Sequence, residues 1–108
     1  FLSKYVTFKL ERTGENLLTM TAYPKNQHGV YSAAQFSKIV FAVRQSDLAI
    51  QKVQIYRPNG SLAAQVEINY IDIGGISFPE KIYGELTLDQ GIISLETTYS
   101  DIRLNELL

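Results

Sequence analysis

The fold is decided by the stretch Leu62-Ala63-Ala64-Gln65-Val66-Glu67-Ile68-Asn69-Tyr70. Apolar side chains occupy every second position, at Leu62, Ala64, Val66, Ile68 and Tyr70. This period of two predicts a β-strand with one apolar and one polar face. A slip of one residue in its pairing would move all five apolar side chains to the opposite face, so the pattern specifies the register strongly.

The same alternation continues on both sides of this strand. Asn59-Gly60 precedes it, and an Asn-Gly pair between two alternating runs is the strongest short-range signal for a β-hairpin. Gly74-Gly75 ends the run after it. Six further strands are predicted at residues 5–10, 18–22, 36–44, 49–56, 81–88 and 92–99. A last apolar segment, 102–108, is predicted to dock as a short strand or one helical turn.

These elements predict one all-β domain over residues 1–108, an antiparallel meander of about seven strands. One-sided alternation favours a single curved sheet with one wet and one apolar face over a closed barrel or sandwich. Such a sheet exposes too much apolar surface unless a helix, a partner chain or a ligand covers it. The visible sequence supplies no helical pattern that would provide this cover.

The composition narrows the function classes. The chain has 108 residues, 45% of them hydrophobic and 19% charged, which is typical of a folded domain. With a net charge of -1 and no basic patch, nucleic acid is not an expected partner. The absence of cysteine excludes disulfides and cysteine-based zinc sites. The seven Tyr and five Phe are interpreted as β-sheet formers.

Candidate catalytic residues all have simpler interpretations. His28 is the single histidine and lies in a polar loop, so neither a histidine-pair metal site nor a catalytic triad is predicted. Gly74-Gly75 is interpreted as a turn or bulge and not as a phosphate-binding loop. Carboxylates at strand ends or on polar faces are expected to be solvated: Asp72, Glu80, Asp89, Glu96 and Asp101. No catalytic residue, metal or cofactor is predicted.

The sequence resembles a known family. The run Leu17-Leu18-Thr19-Met20-Thr21-Ala22-Tyr23-Pro24-Lys25 resembles the strand ending in Pro-Lys of outer-membrane lipoprotein carrier proteins. Residues 36–43, 53–56 and 64–70 resemble the strands that follow in those carriers. The later stretches 75–82 and 98–105 are similar to LolA/LolB-like lipoproteins. The resemblance implies an unclosed β half-barrel whose concave apolar side receives acyl chains beneath a helical lid. It also implies a location in the periplasm or at the outer membrane.

In that family the lid helix and the first strands precede the segment seen here. The chain is therefore expected to be the C-terminal portion of a longer carrier-like protein, without its N-terminal helical lid. A start at Phe1 without an initiator Met agrees with this expectation.

The predicted function is non-catalytic binding of an apolar ligand, an acyl chain or the lipid part of a lipoprotein. The predicted lining comes from the regular strand faces, at Leu62, Val66, Ile68, Leu86, Ile93 and Leu95. Two alternatives remain open. In the first, the domain is an interaction module whose apolar face is buried by a second copy or an envelope protein. In the second, it is a fragment of an enzyme whose catalytic residues lie upstream, and loss of full-length activity on changing Asp72 or Glu96 would support this.

Overall fold

A computed structural model of the chain describes residues 6–24 and 36–100. They form seven strands: β1 (Val6–Gly14), β2 (Leu17–Pro24), β3 (Lys38–Arg44), β4 (Ile50–Tyr56), β5 (Leu62–Ile73), β6 (Ile76–Leu88) and β7 (Gly91–Thr98). The strands follow one another in a single antiparallel sheet in chain order, which confirms the predicted all-β meander. The sheet is unclosed, with β1 and β7 as its edges. His28, Asp101 and the predicted segment 102–108 lie outside the described residues.

Directly paired residues of neighbouring strands share a face of the sheet, so the register divides the side chains into two sets. The apolar face carries Phe8, Leu10, Leu18, Met20, Ala22, Ile39, Phe41, Val43, Val53, Ile55, Ala64, Val66, Ile68, Ile82, Leu86, Ile93 and Leu95. The polar face carries Lys9, Glu11, Thr19, Thr21, Lys52, Gln54, Gln65, Glu67, Lys81, Tyr83, Glu85, Ser94 and Glu96. One-sided alternation along the strands produces this division, as the sequence predicted.

Glycines make the tight turns on both sides of β5. Gly60 has a φ of 90°, which the predicted Asn-Gly hairpin requires, and its N–H donates to Arg57 O over 2.8 Å. Gly74 and Gly75 have φ values of 61° and 83°, and Gly75 N–H donates to Asp72 Oδ1 over 2.8 Å. The β5–β6 hairpin therefore turns on two residues.

The β5–β6 pair is longer than the sequence indicated. β6 begins at Ile76, five residues before the predicted start, and the ladder shifts register between Asn69 and Tyr70. The irregularity pairs Tyr70 with Pro79, and a proline is tolerated at a bulge because no ladder donor is required there. The extra residue is Glu80 on β6, and Tyr70 beside the bulge stacks against Arg44.

The sheet has little core of its own. Among the described residues, Ala22 and Val43 are the buried hydrophobic side chains, 4% and 8% exposed. Each strand contacts its immediate neighbours in the sheet, and within residues 6–24 and 36–100 no second layer packs on either face. That part of the chain also contains no helix long and apolar enough to cross a membrane. The apolar face is consequently left largely open.

Candidate apolar binding face

Five of the six predicted lining residues lie together on the apolar face: Val66, Ile68, Leu86, Ile93 and Leu95. Three of them are substantially exposed, and Leu95 is 70% exposed. Leu62 differs, because a register shift at the end of the β4–β5 ladder pairs it with Tyr56. Their role as a ligand lining remains a prediction.

Gly84 lies in the middle of this group. The register places it between Val66 on β5 and Leu95 on β7, on the apolar face. A Cβ built at Gly84 would have one neighbouring atom within 4 Å, Leu95 O at 3.9 Å. The missing side chain therefore leaves a shallow furrow between two apolar residues, with room for an added methyl-bearing group.

A depression of about 330 Å³ lies at the β1–β4 end of the apolar face. Its walls are apolar side chains: Leu10, Leu18, Met20, Val43, Leu48 and Ile50. Val43 is buried at its base, whereas Leu10 is 64% and Leu48 is 66% exposed. Alternation could have indicated the strand residues of this set, but only the sheet order shows that they meet.

Leu48 reaches this depression from the β3–β4 loop in an unusual backbone conformation. Its φ is 60°, in the left-handed region where a Cβ crowds the backbone. Leu48 N–H donates to Arg44 O over 2.8 Å, and Arg44 N–H donates to Ala49 O over 2.8 Å. Asp47 Oδ1 accepts from Ala49 N–H at 3.1 Å. These bonds hold the loop in a conformation that leucine alone would disfavour.

A polar cluster on the other side of the sheet anchors the same loop. Arg44 Nε and Nη2 donate to the two Asp47 carboxylate oxygens over 2.8 and 2.6 Å, and Nη2 also donates to Ser77 Oγ over 3.1 Å. The guanidinium lies 5.1 Å from the Tyr70 ring, whose hydroxyl donates to Ile50 O over 2.6 Å. The hydrogen bonds from Arg44 hold the pKa of the Asp47 carboxyl down at about 2.

A second depression, of about 280 Å³, lies between β6 and the end of β7. Phe78, Pro79, Ile82 and Tyr99 line it. Tyr99 N–H donates to Glu80 O over 2.7 Å, so the chain after β7 continues the ladder for one more residue. The bulge at Pro79 therefore contributes an apolar hollow as well as a change of register.

A cavity of about 550 Å³, larger than either apolar depression, belongs to the polar side and is bordered by Arg44, Lys52, Glu67 and Tyr70 among others. Its charged groups pair with neighbours: Arg44 with Asp47, and Lys52 with Glu67 at 3.5 Å. Because these charges are already paired within the protein, they are not free to bind a charged ligand. We interpret this cavity as a gap between side chains on the solvent-exposed face. The apolar face is the better candidate site despite its smaller depressions.

Two of the carboxylates considered for catalysis have structural partners. Asp72 accepts the Gly75 N–H in the β5–β6 turn, and Glu96 pairs with Lys81 at 3.5 Å on the polar face. Within residues 6–24 and 36–100, no three acidic or histidine side chains are grouped as metal ligands would be.

Comparison with known proteins bears on the fold. No protein-family model and no curated protein matches this sequence. The crystal structure of a LolA superfamily protein from Nitrosomonas europaea matches with a TM-score of 0.55 and 23% sequence identity. The match covers 95% of this chain and 46% of that one, so the chain spans less than half the length of this structural relative. The predicted resemblance is confirmed in structure: the chain has the fold of part of a LolA superfamily protein.

Proposed function

We propose that the chain binds an acyl chain, free or as the lipid part of a lipoprotein, on its apolar face without catalysing a reaction. The observation that carries this proposal is the continuous apolar face left open, with Leu86, Ile93 and Leu95 exposed beside the Gly84 furrow. Contiguous exposed apolar side chains on a protein surface are typical of interaction sites. The fold shared with a LolA superfamily protein supports a role in lipid or lipoprotein trafficking at the bacterial envelope, in the periplasm or at the outer membrane.

Burial of hydrocarbon supplies the binding free energy. Each CH₂ group removed from water contributes about 0.8 kcal/mol, before the cost of ordering the ligand. An extended acyl chain could lie in the furrow between Val66 and Leu95 and in the two apolar depressions. The lining there is apolar, so the ligand would not need to form hydrogen bonds with the protein. A saturated acyl chain fits this surface better than a polar metabolite, which would lose hydrogen bonds to water there.

The test is native mass spectrometry of the protein purified from bacteria, followed by denaturing mass analysis of what is released. We expect one lipid or fatty acid per chain. Gly84→Val should lower retention at least tenfold while preserving the melting temperature, because it fills the furrow and adds a β-branched residue to a strand.

Gln65→Val on the polar face of β5 is the matched control and should leave lipid retention unchanged. A folded chain that carries no lipid and takes none up from micelles would overturn the proposal. If that chain were a dimer with its apolar face protected from solvent, the face would instead be an interface with a second copy or an envelope protein.

A further inference from the structure

The two edge strands of the sheet, β1 and β7, differ in the features that prevent them from pairing with another strand. On β1, Lys9 and Glu11 form an ion pair at 3.1 Å. Arg12 folds back to donate to Gly14 O and Glu15 O, and the ladder shifts register between Arg12 and Gly14. Charged side chains and bulges are the devices by which natural sheets block edge-to-edge association.

β7 carries almost none of these devices. Its eight residues pair with β6 in one uninterrupted register, without a bulge, proline, lysine or arginine. Its single charged residue, Glu96, is paired with Lys81 at 3.5 Å. Ile92 on the polar face and Ile93 and Leu95 on the apolar face are 62%, 56% and 70% exposed. A regular, apolar and nearly uncharged edge is a template for strand addition.

The register identifies the backbone groups that this edge presents. Tyr99 N–H donates to Glu80 O, and the ladder from there to Gly91 is regular, so residues of the same parity as Tyr99 turn their backbone groups toward β6. Ile92, Ser94, Glu96 and Thr98 therefore turn their N–H and C=O groups outward. Within the described ranges, no other strand pairs with them.

We propose that β7 pairs with β7 of a second copy of this chain, antiparallel and with Ser94 opposite Ser94. In this register Ile93 of each copy lies opposite Leu95 of the other on the apolar face. Each Glu96 lies opposite Ile92, so the edge's single charge never faces its equivalent. The contact is self-complementary, as two-fold symmetry requires. It joins two apolar faces into one continuous surface and does not bury either of them.

The length of the β7 edge sets the expected affinity of the dimer. An eight-residue edge is short, and specific stable interfaces bury about 1,200 Å² or more. The dimer is therefore expected to be weak and dependent on concentration, with half-association in the micromolar to millimolar range.

The first test is sedimentation velocity over a hundredfold range of concentration. The wild type should shift toward the dimer as concentration rises. Leu95→Lys should stay monomeric, whereas Leu10→Lys, its counterpart on the β1 edge with a similarly exposed leucine, should dimerise like the wild type. Ser94→Pro should also stay monomeric, since it removes an outward N–H without removing a bond to β6. Circular dichroism confirms that each variant is folded.

The second test uses the absence of cysteine from the chain. Ser94→Cys should form an interchain disulfide on air oxidation, because opposed residues in an antiparallel pair lie about 5.5 Å apart between Cα atoms, within disulfide reach. Asn59→Cys, in an exposed turn, is the control and should remain largely reduced. A wild type that stays monomeric throughout the range, or equal cross-linking at both positions, would overturn the proposal. Lipid uptake plays no part in either test.

Discussion

The two faces of the sheet are formed by the same seven strands, but they differ in whether their side chains have partners within the protein. On the polar face, Lys52 pairs with Glu67 and Lys81 with Glu96, and Tyr83 donates to Glu85 Oε2 over 2.9 Å. On the apolar face, Leu86, Ile93 and Leu95 are left 43%, 56% and 70% exposed. The larger cavity lies on the side whose charges are already paired, so cavity size alone is a poor guide to the candidate site in this fold.

The largest expected difference between the two faces comes from placing a charge at Val43, a buried residue of the apolar face. Val43→Asp should destabilise the protein by about 3 to 5 kcal/mol, because Val43 is 8% exposed and an aspartate there has no partner. Ala42→Asp, one residue away on the polar face and opposite Lys52, should cost less than about 1 kcal/mol. Urea denaturation of both variants measures the difference. Equal losses would show that the two faces are not distinct.

A smaller change separates ligand binding from folding. Leu95→Ala should weaken acyl-chain binding about tenfold, equivalent to about 1.4 kcal/mol, because apolar contact area is lost. The free energy of unfolding should change by less than about 0.5 kcal/mol, since Leu95 is 70% exposed. Titration with a fluorescent fatty acid measures affinity, and Ser94→Ala on the opposite face is the control. Unchanged affinity would remove Leu95 from the site.

Leu48, on the apolar side, combines a strained backbone conformation with an exposed side chain, so it separates the effect of strain from that of apolar burial. Leu48→Gly should stabilise the protein by roughly 0.5 to 1 kcal/mol, since glycine adopts a φ of 60° without steric cost, offset in part by its freedom in the unfolded chain. Leu10→Gly, an exposed leucine in a regular strand, should destabilise it. Thermal denaturation distinguishes the two signs, and a loss of stability in Leu48→Gly would contradict the strain argument.

The smallest expected effect is a pH-dependent change in stability that comes from the Arg44–Asp47 pair on the polar side. The Asp47 pKa is lowered from 3.8 to about 2 in the folded protein, so the Arg44 pair stabilises the fold above about pH 4 and loses its contribution as the pH falls toward 2. The stability difference between wild type and Asp47→Asn should therefore shrink over that interval. Urea denaturation at several pH values measures it, and a constant difference would contradict the linkage.

The sequence predicted the sheet because period-two alternation defines strands and their faces at once. Leu18, Met20 and Ala22, or Val66 and Ile68, lie on the face that their spacing indicated. Alternation does not indicate where a strand contains an extra residue, so neither the bulge at Glu80 nor the contact of Tyr70 with Arg44 was predictable from parity.

The candidate site was less predictable than the fold. The Leu48 conformation depends on hydrogen bonds that Arg44 O accepts from Leu48 N–H and Asp47 Oδ1 accepts from Ala49 N–H, and no local sequence pattern indicates them. The Gly84 furrow depends on which residues lie opposite it in two neighbouring strands, and single-sequence spacing does not contain that information.

The meander order also governs how the chain reaches its structure. Among the described strands, every ladder joins neighbours in sequence, so most loops to be closed are short and their entropic cost is small. Local pairing of this kind favours rapid folding relative to other all-β proteins. Each hairpin can form on the preceding one as soon as its residues leave the ribosome. Until the next strand arrives, the growing sheet ends in a bare edge and an open apolar surface, which is where a chaperone would be needed first.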